Sequence, residues 1–211
     1  MPSTSQSNQK VITHIGVKEH FRETVSAALS NQKVHAQAET VYYLVNLLDH
    51  FALADRLFQP TPDGLQIEPL ALLYAKAIQA NRLETRQQVL RRLGDIALFV
   101  SGLFSGSLNR KLVDVDYYIG MGSSAYSHLS DISGNSIRSR TFNTIYSELS
   151  AKFQEFVDVL AEVGENSQLT PPEDTLRLYE IWARTGSPRA ADKLRKRAIE
   201  PLVNTGFGRK N

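Results

Sequence analysis

Residues 115–130 read VDYYIGMGSSAYSHLS, a stretch with two glycines, four serines, three tyrosines and one histidine. Two folds compete for it. Gly120-Met121-Gly122-Ser123-Ser124-Ala125 has the form G-x-G-x-x-A, which after a β-strand would make the dinucleotide-binding turn of an α/β protein. The same residues put Tyr118, Met121, Ala125, Leu129 and Ile132 at spacings of three, four, four and three, the stripe of an amphipathic helix. The flanks decide between them. Val113-Asp114-Val115-Asp116 alternates over four residues only, too short for the strand that a βαβ unit requires. The stretch reads as a helix over about 115–132, and the fold as all-α.

Helical periodicity continues on both sides. Phe21, Val25, Ala28 and Leu29 mark a short helix after Val17, and residues 34–58 form a long run without Gly or Pro. Pro60-Thr61-Pro62-Asp63-Gly64 breaks the chain in a turn. Further helices are expected over 69–80, with Pro69 at its start, and over 83–104, with Leu90, Leu93, Ala97, Val100 and Phe104 on one stripe. Ser133-Gly134-Asn135 ends the helix of the opening stretch, and the next runs over 137–163 with Gly164 as its stop. Pro171-Pro172-Glu173-Asp174 opens one that ends at Gly186, and the last lies between Pro188 and Pro201. The expectation is a single-domain all-α bundle of about seven or eight helices. Residues 13–203 make the domain, 1–12 a disordered polar tail, and 204–211 a flexible basic tail.

Composition bounds the function. The 211 residues are 42% hydrophobic and 22% charged, an ordinary globular mixture. There is no cysteine, which excludes disulfides, thiolate metal sites and cysteine nucleophiles, and fits a reducing cytoplasm. No apolar run reaches the roughly 20 residues of a spanning helix, so no membrane insertion is expected. Net charge is +2, but residues 180–211 hold eight basic and three acidic side chains, leaving the rest mildly acidic.

Three groups of residues carry candidate chemistry. The first surrounds the opening stretch. Asp95 follows Gly94 and precedes an apolar run, with Arg91 and Arg92 one turn back and able to reach it. Asp95 and Ser101 on one helix, with Tyr117, Tyr118, Gly122, Tyr126 and His128 on the other, would line a polar pocket if the two helices leave a gap. If they do not, Gly94 and Gly122 are notches for close helix packing, which would offset the helix propensity that glycine loses, about 1 kcal/mol each.

The second group is the five histidines, His14, His20, His35, His50 and His128, none in a Glu-x-x-His or His-Glu-x-x-His arrangement. No metal and no cofactor are expected. The third group is Arg189, Lys193, Lys196 and Arg197, which share one face of the last helix and could meet an acidic protein partner, a second copy of the chain, or nucleic acid phosphates. No Gly-x-Ser-x-Gly elbow and no paired carboxylates on one helix face appear, so no catalytic residue is assigned.

One resemblance adds to this. Leu93-Gly94-Asp95-Ile96-Ala97-Leu98-Phe99-Val100-Ser101-Gly102-Leu103-Phe104 has the form L-G-D-x-x-L-F-x-S-G-x-F. With 113–118, 121–126, 179–187 and 190–194, this resembles a group of bacterial cytoplasmic proteins of similar length that has no established activity. The resemblance implies a bacterial single-domain protein and brings no site residue with it. The expected function is non-enzymatic: an interaction or regulatory protein acting through a helical surface. The alternatives are a small-molecule sensor or enzyme with its pocket between the 83–104 and 115–132 helices, and a nucleic-acid binder using the basic last helix.

Overall fold

A computed structural model describes residues 5–62, 64–104, 114–132, 137–167 and 175–201. The fold is all-α with one small hairpin. In order, the elements are α1 (Ser5–Asn31), α2 (Ala38–Phe51), α3 (Ala54–Leu57), β1 (Gln59–Thr61), β2 (Gly64–Gln66), α4 (Leu70–Gln79) and α5 (Leu83–Leu103). They continue with α6 (Val115–Ile132), α7 (Ile137–Ala151), α8 (Phe153–Asn166), α9 (Thr175–Thr185) and α10 (Pro188–Lys196). Among the described residues no helix is long and apolar enough to cross a membrane.

The opening stretch is α6, a helix with the bounds its periodicity indicates. It packs on α5, which is the centre of the molecule. Every residue of α5 from Ile96 to Leu103 is buried, so this half of the helix has no polar face. Its one hydroxyl is silenced locally: Ser101 Oγ donates to the Ala97 carbonyl at 2.7 Å. Around α5 stand α4, α6 and α8, and α1 and α2 close the far side. One large hydrophobic cluster joins α1 through α8, whereas Leu178, Ile181, Ala190 and Leu194 form a second, smaller one within the α9–α10 pair.

Several boundaries differ from the expectation, each for a local reason. The run 34–58 is split: α2 ends at Phe51 and a single further turn makes α3. The 137–163 helix is split at Lys152, whose φ of −113° and ψ of 27° leave the helical region. Gly164 is no stop but a buried residue within α8. The expected Pro-Thr-Pro-Asp-Gly turn is flanked by an antiparallel hairpin, with Gln59 facing Gln66, that period-two alternation is too short to announce. α1 starts at Ser5, within the stretch that composition assigns to a tail, since a polar run without Gly or Pro can continue backbone hydrogen bonds with no apolar stripe. The 204–211 tail, the 133–135 stop and the 171–174 start lie outside the described residues.

The glycines of α5 and α6 show how close the packing is. A Cβ on Gly94 would lie 2.7 Å from the Tyr126 ring, and one on Gly122 would lie 2.3 Å from the Phe153 ring and 2.8 Å from Ala97 Cβ. Gly120, two residues earlier on the exposed side, has nothing within 4 Å. The two positions separate propensity from packing within one helix. Gly120→Ala is expected to stabilise the protein by about 0.5–1 kcal/mol, through helix propensity alone. Gly122→Ala gains the same propensity but is expected to lose about 1–3 kcal/mol to overpacking, with a net lower melting temperature. Urea unfolding of both variants checks the pair; equal shifts would contradict the packing.

Candidate functional site

Asp95 is the carboxylate around which the fold assembles a polar cluster. α5 carries it on the side facing α2, and its side chain is 17% exposed. Tyr43 of α2 donates its hydroxyl to Asp95 Oδ1 at 2.5 Å, and Tyr126 of α6 donates to the same oxygen at 2.8 Å. Arg91, one turn back on α5, holds its Nε 3.6 Å from the other oxygen, Oδ2, and its guanidinium lies 5.5 Å from the centre of the Tyr43 ring. One carboxylate thus ties α2, α5 and α6 together.

The rings around it are interlocked. Tyr126 stacks on Tyr146 of α7 with centroids 5.8 Å apart, and Tyr43 meets both rings edge-on at 6.4 and 6.0 Å. Burial is the dominant electrostatic influence. It pushes the Asp95 carboxyl upward, against the hydrogen bond from Tyr43, the charge of Arg91 and the bond from Tyr126. It also holds the Tyr43 and Tyr126 hydroxyls well above the usual phenol range, reinforced by the Asp95 charge. Both phenols therefore stay protonated donors at any ordinary pH.

Tyr43, Arg91 and Asp95 of this cluster line a cavity of about 1000 Å³ between α2, α5 and α7. Tyr42, Phe51, Phe142 and Ile145 supply apolar wall, and Asn46, Gln88 and Thr141 supply neutral polar groups. At the mouth stand His50, Arg56 and Arg92. Arg92 does not reach Asp95, as its spacing would allow. Both its terminal nitrogens lie 3.3 Å from the backbone carbonyl of Arg56. Arg56 in turn places Nη1 3.2 Å from His50 Nδ1. Burial, and then the Arg56 charge, lower the His50 pKa, so the ring is neutral near pH 7 and Nδ1 can accept from Arg56.

Of the residues expected to share a pocket between the 83–104 and 115–132 helices, the structure brings together Asp95 and Tyr126. That interface is filled at both glycines, by the Tyr126 ring at Gly94 and by Phe153 and Ala97 at Gly122. The opening lies on the other face of α5. Ser101 is buried and bonded within its own helix. Tyr117 is exposed and meets Tyr118 edge-on at 5.8 Å, and His128 is exposed. Tyr43, Tyr146, His50 and Arg56 join the cluster without any sequence signal, because their partners lie on other helices.

The basic last helix is tied inward. Arg189 and Lys193 both pair with Glu165 of α8, the former at 2.5 Å. Arg197 donates to Thr175 Oγ1 at 3.0 Å, and Lys196 is exposed. Beside them is a second buried acid, Asp158 of α8. Ser187 donates to its Oδ2 at 2.6 Å while accepting from the Ala190 N–H at 3.1 Å, which makes Ser187 the N-cap of α10 and its tether to α8 at once. Burial pushes Asp158 up to about 6, despite the Ser187 bond and the nearby Arg189 charge.

Among the described residues no group of three or more His, Asp or Glu side chains is placed to hold a metal ion. No protein-family model, no curated protein and no solved structure matches the chain.

Proposed function

We propose that the protein binds a small amphipathic organic molecule in the cavity between α2, α5 and α7, and works as a ligand-responsive binding protein. The observation that carries this reading is the state of Asp95. Both phenols occupy Oδ1, and among the described residues Oδ2 meets only Arg91, at 3.6 Å, beyond a good hydrogen bond. A carboxylate raised by burial thus lines the cavity with an oxygen that still has room for a donor. A volume of about 1000 Å³ is at the upper end for small-molecule sites, and mostly apolar walls with a few convergent polar groups are their usual make-up. Because Asp95 joins α2, α5 and α6, a donor arriving at Oδ2 would be felt by three helices.

An interaction surface on α10 has less support. Two of the four cations proposed for it share Glu165 and fasten the helix to α8. The same geometry weakens the case for a phosphate-binding face there.

The cavity reading is tested by a nuclear magnetic resonance screen of small aromatic and aliphatic fragments. Binding is expected to shift the Ile145 δ1-methyl and the Tyr43 ring signals together, and Asn46→Trp, which fills the cavity from its partly exposed wall, is expected to abolish those shifts. Fragments that scatter over the surface, or bind Asn46→Trp as well as the native chain, would refute it.

A further inference from the structure

The geometry points to an oxyanion subsite at the mouth of this cavity, in which Arg56 and Arg92, with His50 in the last turn of α2, hold a carboxylate or phosphate group of the ligand. The inference rests on the cavity reading and adds the ligand's charge and orientation to it.

The three arginines of the cavity are not equivalent. Arg91 is committed: it faces Asp95 and lies against the Tyr43 ring. Arg56 and Arg92 are held differently. Among the described side chains, neither guanidinium meets a carboxylate. Arg92 is satisfied by a backbone carbonyl, and that carbonyl belongs to the residue that carries the other guanidinium. Arg56 is satisfied by an imidazole nitrogen. Both guanidiniums are therefore held by neutral acceptors, an imidazole nitrogen and a backbone carbonyl, on the lining of one cavity.

The His50 tautomer sharpens the picture. With Nδ1 accepting from Arg56, the ring proton is on Nε2, which makes the imidazole a further donor at the same rim. Forked guanidinium donors match planar carboxylate and phosphate oxygens and bind them by charge-assisted hydrogen bonds. Glu39 and Asp49 line the same cavity from α2, so the rim is mixed in charge and favours one compact anion over a polyanion. The ligand class that follows is an amphipathic acid: an anionic head at Arg56 and Arg92, an apolar body along Phe142 and Ile145, and a hydrogen-bond donor directed at Asp95.

The test follows the arginine Nε–Hε resonances of the full chain during titration with inorganic phosphate and, separately, with benzoate, at ionic strength held constant with sodium chloride. Saturable shifts at Arg56 and Arg92 with either anion support the subsite, and the anion that saturates first identifies the head group. Arg56→Gln and Arg92→Gln are each expected to weaken that binding by about tenfold or more. Both side chains are on the surface, so the fold should persist in both variants. Linear shifts spread over exposed arginines such as Arg22 and Arg82 would overturn the inference. If neutral fragments still shift Ile145 while neither anion saturates, the subsite fails and the cavity reading survives. If phosphate saturates at Arg56 and Arg92 of the native chain while no fragment shifts Ile145 there, the subsite holds and the cavity reading fails.

Discussion

Asp95→Ala is expected to lower folding stability by about 2–5 kcal/mol, because it strands two buried phenol donors at once and each unsatisfied group costs about 1–3 kcal/mol. Tyr126 is fully buried and Tyr43 nearly so, so both hydroxyls lose their acceptor inside the protein. Asp95→Asn keeps an oxygen with two lone pairs where Oδ1 stands and removes the charge that burial disfavours. It is expected to stay within about 1 kcal/mol of the native chain. Urea unfolding of both variants, followed by near-ultraviolet circular dichroism of the tyrosines, measures the difference. An Asp95→Ala chain as stable as the native one would show that the cluster holds nothing together. The Asn variant is also the useful one for ligand work, since it leaves the α2–α5–α6 tie in place while changing a group that lines the cavity.

Asp158 gives the second large effect, and it depends on pH. Its folded pKa is raised to about 6, whereas an Asp in the unfolded chain titrates near 3.9. Between those values the native state binds more protons than the unfolded state. Stability therefore falls as pH rises from about 4 to 6, and the Asp158 contribution to that fall is about 3 kcal/mol. Glu148 and Glu165 act in the opposite sense. Although burial opposes it, their hydrogen bonds and cationic neighbours hold both pKa values below the usual range, so what they add to stability is lost as pH falls. The informative quantity is thus the native chain minus Asp158→Asn, measured by urea unfolding at several pH values. That difference should change steeply between pH 4 and 6 and be flat above. A difference that is flat throughout would mean that water reaches Asp158, and that the tether from Ser187 to α8 is a surface contact.

The fold was legible where a helix carries its own stripe. α5 and α6 run over the residues that apolar spacing marks out, and Gly186, at φ of +68°, ends α9 as a C′ glycine should. Breaks without a Gly or Pro were not legible. Nothing local distinguishes Lys152 from its neighbours, and the kink there follows from packing α7 on α6 and α8 on α5. Gly164 shows the reverse case, a glycine that reads as a stop but is kept in the helix by its buried surroundings.

The candidate site divides along the same line. Asp95 stood out as an acid at the head of an apolar run, and Tyr126 through its place beside the Gly122 notch. Tyr43 did not, since 52 positions separate it from the carboxylate it holds. Arg56 meets Arg92 from 36 positions away, and nothing in the sequence joins either to His50. Close packing at Gly94 and Gly122 was legible as one of two alternatives, and the rings of Tyr126 and Phe153 occupy the space that a pocket there would have needed. The cavity lies instead between α2, α5 and α7, a meeting of three helices that spacing along one helix does not encode.

The central claim is that this cavity holds a small molecule. Native mass spectrometry of the chain purified from its own host, beside Asn46→Trp prepared in the same way, tests it most directly. A mass excess is expected on the native chain that disappears on denaturation, has no polymeric pattern, and is absent from Asn46→Trp. The same mass on both proteins, or the bare polypeptide mass for both, would contradict it.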